Sequence, residues 1–207
     1  MTTPGEPAIA GAGCDGRGPL VAFLGDSLTS GWKLPSSQAY PAVLGGVLRE
    51  KGRPVRILNA GVSGETAAQG AMRLPAVLRR RPDVLVVALG INDAVRGLPL
   101  DATESALRGI VEGARAAGLH VLLAGLRIPA GRHGEEYARR FGEIYPRLAA
   151  EYRVPLVPFL LEGVAGRPEL NYRDGLHPNA AGHARCAENV RPHLEQILAE
   201  VVPSARR

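Results

Sequence analysis

Aromatic side chains are scarce: one tryptophan, five tyrosines and three phenylalanines in 207 residues. The core must therefore be built from Leu, Val, Ile and Ala. Cysteine occurs twice, as Cys14 and Cys186, far apart and in no metal-ligand spacing. That excludes a disulfide framework and a thiolate zinc site. Two reduced thiols are the expectation; a single bridge from the N-terminal tail to the last helix is the alternative. Long apolar runs are also missing, since the longest, Val84–Ile91, has eight residues against the ~20 that a membrane span needs. Lysine is nearly absent, with Lys33 and Lys51 alone among 25 basic residues, so the net charge of +5 is carried by arginine. A basic chain invites nucleic acid or a membrane surface as partner. A solvated Arg-rich surface is the plainer expectation.

Hydrophobic residues at 45% and charged residues at 22% are those of a chain that buries a sizeable core. The length suits one domain, expected over residues 19–202, with a C-terminal tail at 203–207. Residues 1–18 are rich in Gly, Ala and Pro and lack a basic start followed by an apolar stretch, so a disordered tail is expected rather than a signal peptide. The chain as it stands is then expected to be cytoplasmic, or periplasmic or secreted if its N-terminus has been trimmed.

Past residue 18 one alternation repeats five times. Runs of strand length stand at Leu20–Leu24, Val55–Asn59, Val84–Leu89, His120–Ala124 and Val154–Pro158. Segments of helical periodicity separate and follow them at Gln38–Lys51, Thr66–Arg80, Asp101–Ala117, Glu135–Tyr152 and Asn179–Val201. Asp101 with Glu104 has the pattern of a capping box, and Gly118 is placed to end that helix. Ala106, Ile110, Ala114 and Ala117 are expected on its buried face. Strands such as Val84–Leu89, apolar throughout, fit a parallel sheet covered on both faces. The expectation is an α/β fold: a three-layer α/β/α sandwich around a five-stranded parallel sheet.

In such sheets reactive groups gather at the carboxyl ends of the strands. The first strand ends in Gly25-Asp26-Ser27-Leu28, alone no more than a strand-to-helix turn with a cap. The second ends in Asn59-Ala60-Gly61-Val62-Ser63-Gly64-Glu65-Thr66, whose backbone N–H groups can face an anion. The third ends in Gly90-Ile91-Asn92-Asp93, which adds a carboxamide donor. Far downstream comes Asp174-Gly175-Leu176-His177-Pro178-Asn179. Asp and His three apart in a tight turn can meet, the carboxylate fixing the tautomer of a histidine that activates a serine. The other four histidines are expected in structural places: His120 opening a strand, His183 and His193 on the last helix, and His133 in a polar loop bordering the site. No His/Asp/Glu set has metal spacing and no dinucleotide or Walker glycine pattern follows a strand, so neither metal nor cofactor is expected.

Four ordered blocks, each at a strand end, resemble the SGNH (GDSL) hydrolase family, closest to its bacterial branch of acyl-CoA thioesterase I, lysophospholipase and arylesterase proteins. Supporting stretches include Arg73-Leu74-Pro75, Arg127-Ile128-Pro129, Tyr145-Pro146 and Val154–Phe159. The resemblance implies a flavodoxin-like SGNH hydrolase fold, Ser27 as nucleophile, His177 as general base and acid, and Asp174 as its orienting carboxylate. It also implies an oxyanion hole from the N–H groups of Ser27 and Gly64 and the side chain of Asn92. One departure stands out: Ile91 occupies a place that is commonly glycine in that branch. Ile91 would be strained if φ is positive there. Otherwise it would narrow the rim.

The expected activity is hydrolysis of short to medium carboxylic esters or thioesters through an acyl-Ser27 intermediate, with a small-molecule acyl substrate as the partner. Asp26, Leu28, Trp32, Leu34, Ile91, Ile128, Pro129 and Leu176 are the expected pocket residues, and Arg127–Gly134 a lid. A carbohydrate O-deacetylase is the alternative within enzymes, disfavoured by so few aromatic platforms. A flavodoxin-like binding module is the non-enzymatic one, and it lacks a phosphate loop or acidic cluster. Nucleic-acid binding would rest on Arg79–Arg81 and Arg139–Arg140, which are expected on helix faces without interleaved aromatics. No stable membrane insertion is expected, and the assembly expected is a monomer or weak homo-oligomer.

Overall fold

The computed structural model describes residues 18–201. Cys14, nearly all of the expected N-terminal tail and the C-terminal tail lie outside them. The strands are β1 (Leu20–Gly25), β2 (Arg56–Gly61), β3 (Val84–Ala88), β4 (His120–Ala124) and β5 (Leu156–Val157). They form one parallel sheet in the order β2-β1-β3-β4-β5. That is the flavodoxin-like order, with the first strand beside the second and third, so the ends of β1, β2 and β3 share one edge.

The helices are α1 (Ser27–Ser30), α2 (Tyr40–Glu50), α3 (Ala67–Leu78), α4 (Ile91–Arg96), α5 (Leu100–Ala116), α6 (Gly134–Tyr152) and α7 (Ala180–Glu200). All five long helices fall within a few residues of their expected spans. Every residue of β1 and β3 is buried, as an apolar strand covered on both faces must be. Each such Leu or Val contributes about 1.5–3 kcal/mol on burial. Helix α7 closes over the sheet partly through His183, which is 1% exposed and accepts a hydrogen bond at Nδ1 from the backbone N–H of Tyr40 at 3.1 Å.

Four local expectations are corrected. Strand β5 shrinks to two residues because Pro155 and Pro158 flank it and can donate nothing to a ladder. Helix α5 begins one residue before Asp101, with Pro99 at its cap position and no side-chain cap bond, so Asp101 and Glu104 form no capping box. Glu104 instead accepts from Arg147 and Arg108. The buried face of α5 runs through Leu100, Thr103, Leu107, Ile110, Val111 and Ala114, and leaves Ala117 exposed. Gly118, at φ 78, ends the helix as expected. A true capping box sits at α3, where Thr66 and Gln69 bond reciprocally. Finally, Arg79–Arg81 lies at and beyond the C-terminus of α3 rather than along a face.

Candidate active site

Ser27 opens α1 directly after β1 and is 6% exposed. Asp26 caps that helix, its Oδ1 accepting from the N–H of Leu28 at 3.0 Å. The downstream block returns to the same edge by way of the turn before α7. His177 Nε2 lies 3.0 Å from Ser27 Oγ, and His177 Nδ1 lies 3.0 Å from Asp174 Oδ2. Residues 150 positions apart thus form one hydrogen-bonded chain. The turn is built locally: Asp174 Oδ1 accepts from the N–H groups of Leu176 and His177, and Asn179 caps α7 by accepting from Ala181 and Gly182. Desolvation is the largest single influence on Asp174 and opposes its ionisation. The N–H groups of His177 and Leu176 and the imidazole together outweigh it and bring the carboxyl down to about 2. Asp174 is therefore an anion at any working pH, suited to accept from an Nδ1–H.

Gly64 and Asn92 stand on the same rim. Gly64 has φ 82, a region glycine enters without strain. Asn92 is the second residue of α4 and donates from Nδ2 to the carbonyl of Glu65 at 2.9 Å. Among the described residues, the backbone N–H groups of Ser27 and Gly64 donate to no protein acceptor. Three donors of the expected kind, backbone and amide, therefore stand at the carboxyl ends of β1, β2 and β3.

The left-handed position before Asn92 is taken by Gly90, at φ 117, and not by Ile91. Ile91 starts α4 with its side chain in the core, 3% exposed, so it is neither strained nor on the rim. A Cβ on Gly90 would meet the Tyr145 hydroxyl at 2.6 Å, and that hydroxyl donates to the carbonyl of Leu89. Of the other expected pocket residues, Leu28 (2% exposed) and Asp26 (fully buried) also face inward. Ile128, Leu176 and Leu34 are half-buried and Pro129 is exposed. Trp32 lies against His177, with ring centroids 4.2 Å apart.

Several residues around this edge were not singled out from the sequence. Asp93 accepts from the N–H of Ala67 at 2.8 Å and from Thr103. Arg96 donates to the carbonyl of Gly64 at 2.7 Å. Arg73 pairs with Glu65 and reaches the carbonyl of Gly25. Their signal was adjacency to the blocks: Asp93 follows Asn92, and Arg73 lies in a supporting stretch that carried no role. Asp26 has a second peculiarity, an Oδ2 that is buried without a hydrogen-bond partner. Desolvation, with the charges of Asp93 and Glu65, raises its carboxyl to about 7. His133 borders the edge as expected, Nε2 lying 3.1 Å from the carbonyl of Val95. No cluster of three or more His, Cys, Asp or Glu side chains among the described residues could hold a metal.

Residues 23–185 match the family described as "GDSL-like Lipase/Acylhydrolase family". Over 179 residues the chain is 39% identical to "Thioesterase 1/protease 1/lysophospholipase L1" of Escherichia coli K12, covering 86% of this chain and 84% of that protein. It is 37% identical to "Arylesterase" of Vibrio mimicus, covering 86% and 89% respectively. Among solved structures, a crystal structure of TesA superposes with a TM-score of 0.82 at 37% identity, covering 86% of this chain and 99% of that one. With four ordered blocks converging on one sheet edge, the chain belongs to the GDSL-like lipase/acylhydrolase family.

Proposed function

We propose that this protein hydrolyses small carboxylic esters and thioesters through an acyl-Ser27 intermediate. The observation that carries the reading is the run of two 3.0 Å contacts from Ser27 Oγ through His177 to Asp174. Ser27 Oγ attacks the acyl carbonyl while its proton passes to His177 Nε2. Asp174, accepting from Nδ1–H, favours the imidazolium that results. The oxygen of the tetrahedral intermediate is held by the N–H groups of Ser27 and Gly64 and by the free N–H of the Asn92 amide. Donors placed where charge develops are worth ~3 kcal/mol each. Collapse breaks the bond to the alcohol or thiol, which leaves with the proton from Nε2. Water then attacks the acyl-serine, giving its proton to His177, and Ser27 recovers its own.

Part of the Arg-rich surface is neutralised within the chain. Arg139 pairs with Glu136 and Glu143, Arg147 with Glu104, and Arg191 with Glu188 and Glu195. A carbohydrate O-deacetylase would use the same chemistry and gains one observation, since Trp32 and Tyr172 both stand near His177. The indole face, however, is already taken by the imidazole, so acyl esters of simple alcohols remain the preferred substrates. The relatives named for thioester, lysophospholipid and aryl ester cleavage support the same range of leaving groups.

The test is hydrolysis of p-nitrophenyl acetate, butyrate and octanoate by wild type and Ser27→Ala. The substitution is expected to abolish turnover of all three. Equal rates in the two proteins would remove Ser27 from the reaction.

A further inference from the structure

Hydrogen bonds at both ring nitrogens fix the line through Nδ1 and Nε2 of His177, but not the roll of the ring about that line. The nitrogens' bonding directions diverge from this line, so a roll tips both away from Asp174 and Ser27 at once. A flat group against the ring face prevents it. Trp32 supplies one, its ring centroid 4.2 Å from that of His177 and its plane inclined by 31°.

The indole is itself held on several sides. Tyr172 meets it edge-on at 6.1 Å, and the Lys33 ammonium lies 4.0 Å from its centroid. Lys33 has φ 62, a left-handed conformation that a lysine rarely adopts, at the bend that follows α1. Strain of this kind persists where surrounding contacts enforce it. The backbone N–H of Trp32 donates to the carbonyl of Ser27, so the nucleophile and the indole belong to one turn.

We propose that Trp32 is a positioning residue for His177. Its face sets the roll of the imidazole and, through a cation–π contact, steadies the imidazolium that forms as Ser27 loses its proton. This rests on the acyl-Ser27 reading and adds to it a residue outside the four blocks. The charged groups facing the pair are Asp174 at Nδ1, Lys33 on the indole and the buried His183, whose ionisation is opposed first by burial and then by the charge of His177.

Trp32 is the chain's single tryptophan, so tryptophan emission reports on the surroundings of this one indole. An imidazolium against an excited indole quenches it by accepting an electron, whereas a neutral imidazole does not. Emission from the wild type should fall as His177 is protonated on acidification, and His177→Gln should remove that fall. A fall that persists in His177→Gln would have another source, the buried His183 first among them, and would overturn the contact. The kinetic arm compares Trp32→Phe with Trp32→Leu on p-nitrophenyl butyrate. Phe keeps a π face and should hold kcat within about threefold, while Leu keeps bulk alone and should lose about tenfold in kcat with little change in KM. Equal kcat values for Phe and Leu would reduce Trp32 to packing. Ser27→Ala separates the two levels: activity surviving that change defeats the acyl-Ser27 reading itself. An inactive Ser27→Ala beside equal Phe and Leu variants defeats only the role of Trp32. The fluorescence arm needs no substitution at Trp32, so it stands even if a variant there folds poorly.

Discussion

Two buried groups near the nucleophile's strand respond to acid in opposite directions, and their difference is measurable. Burial depresses His183 from 6.5 to about 4, with the charge of His177 adding to the effect. The unfolded chain therefore binds the extra proton between these values. The resulting stability is full above pH 6.5 and is lost as pH falls toward 4, about 3 kcal/mol in all. Asp26 runs the other way. Burial, then Asp93 and Glu65, raise it from 3.8 to about 7, so the folded state binds the extra proton. Its contribution is full below pH 3.8 and is lost as pH rises through 7, about 4 kcal/mol in all. Across pH 4 to 6.5 the two nearly cancel in the wild type.

Single substitutions uncover each slope. Asp26→Asn keeps an acceptor for the Leu28 N–H and removes the titration, so stability should rise by about 3 kcal/mol from pH 4 to 6.5. His183→Asn keeps an acceptor near the position of Nδ1 for Tyr40, at a constant cost from the lost ring. Its stability should fall by about 3 kcal/mol over the same range. Urea unfolding followed by circular dichroism at half-unit pH steps gives each curve, provided the m-value stays constant. Carboxylates coupled to neither group, Glu104 among them, tilt all three curves alike and drop out of the difference. Three parallel curves would refute the reasoning, because they would mean that neither group changes its affinity for protons on folding.

Asn92→Ala should lower kcat by about 10²–10³ without unfolding the protein, read from steady-state kinetics beside a thermal melt. Arg96 is exposed, so Arg96→Gln should shift stability by less than about 0.5 kcal/mol while lowering kcat several-fold by releasing the Gly64 carbonyl. Arg96→Lys should recover part of the rate, and identical Gln and Lys variants would show that the bond positions nothing. Gly90→Ala must place a Cβ at φ 117 and 2.6 Å from the Tyr145 hydroxyl, so a loss of about 2–4 kcal/mol is expected on denaturation.

The alternation of strands and long helices could be read from periodicity because each long element carries its own apolar face. Helices α1 and α4 could not, since four and six residues are too few to show a stripe. Both lie inside the motif blocks, where Ser27 and Asn92 are expected only at strand ends. The cap at Asp101 failed because a local pattern was contested by Pro99, which takes the cap position two residues earlier. Ser27, Gly64, Asn92, Asp174 and His177 were readable as spaced motifs, and the structure gathers them at one edge. Trp32 was assigned to a pocket wall because nothing in the spacing tells which face of a loop residue meets a histidine 145 positions away.

Helix α4 shows why these blocks work only together. Six residues cannot hold a helix by their own hydrogen bonds. Three of its side chains instead grip the neighbouring loop at three successive peptide groups. Arg96 takes the carbonyl of Gly64, Asn92 the carbonyl of Glu65, and Asp93 the N–H of Ala67. Asp93 is anchored in turn by Thr103 on α5, and burial, the largest influence on it, makes its carboxyl harder to ionise. A hydrogen bond to a buried carboxylate is worth more than one in water, and leaving it unmade costs more. The loop and the helix therefore move as one body, and the distance between the Gly64 N–H and the Asn92 amide is set by contacts that touch neither donor's free hydrogen. A change at Asp93 should thus impair both donors at once, and its effect on kcat should not add to that of Asn92→Ala.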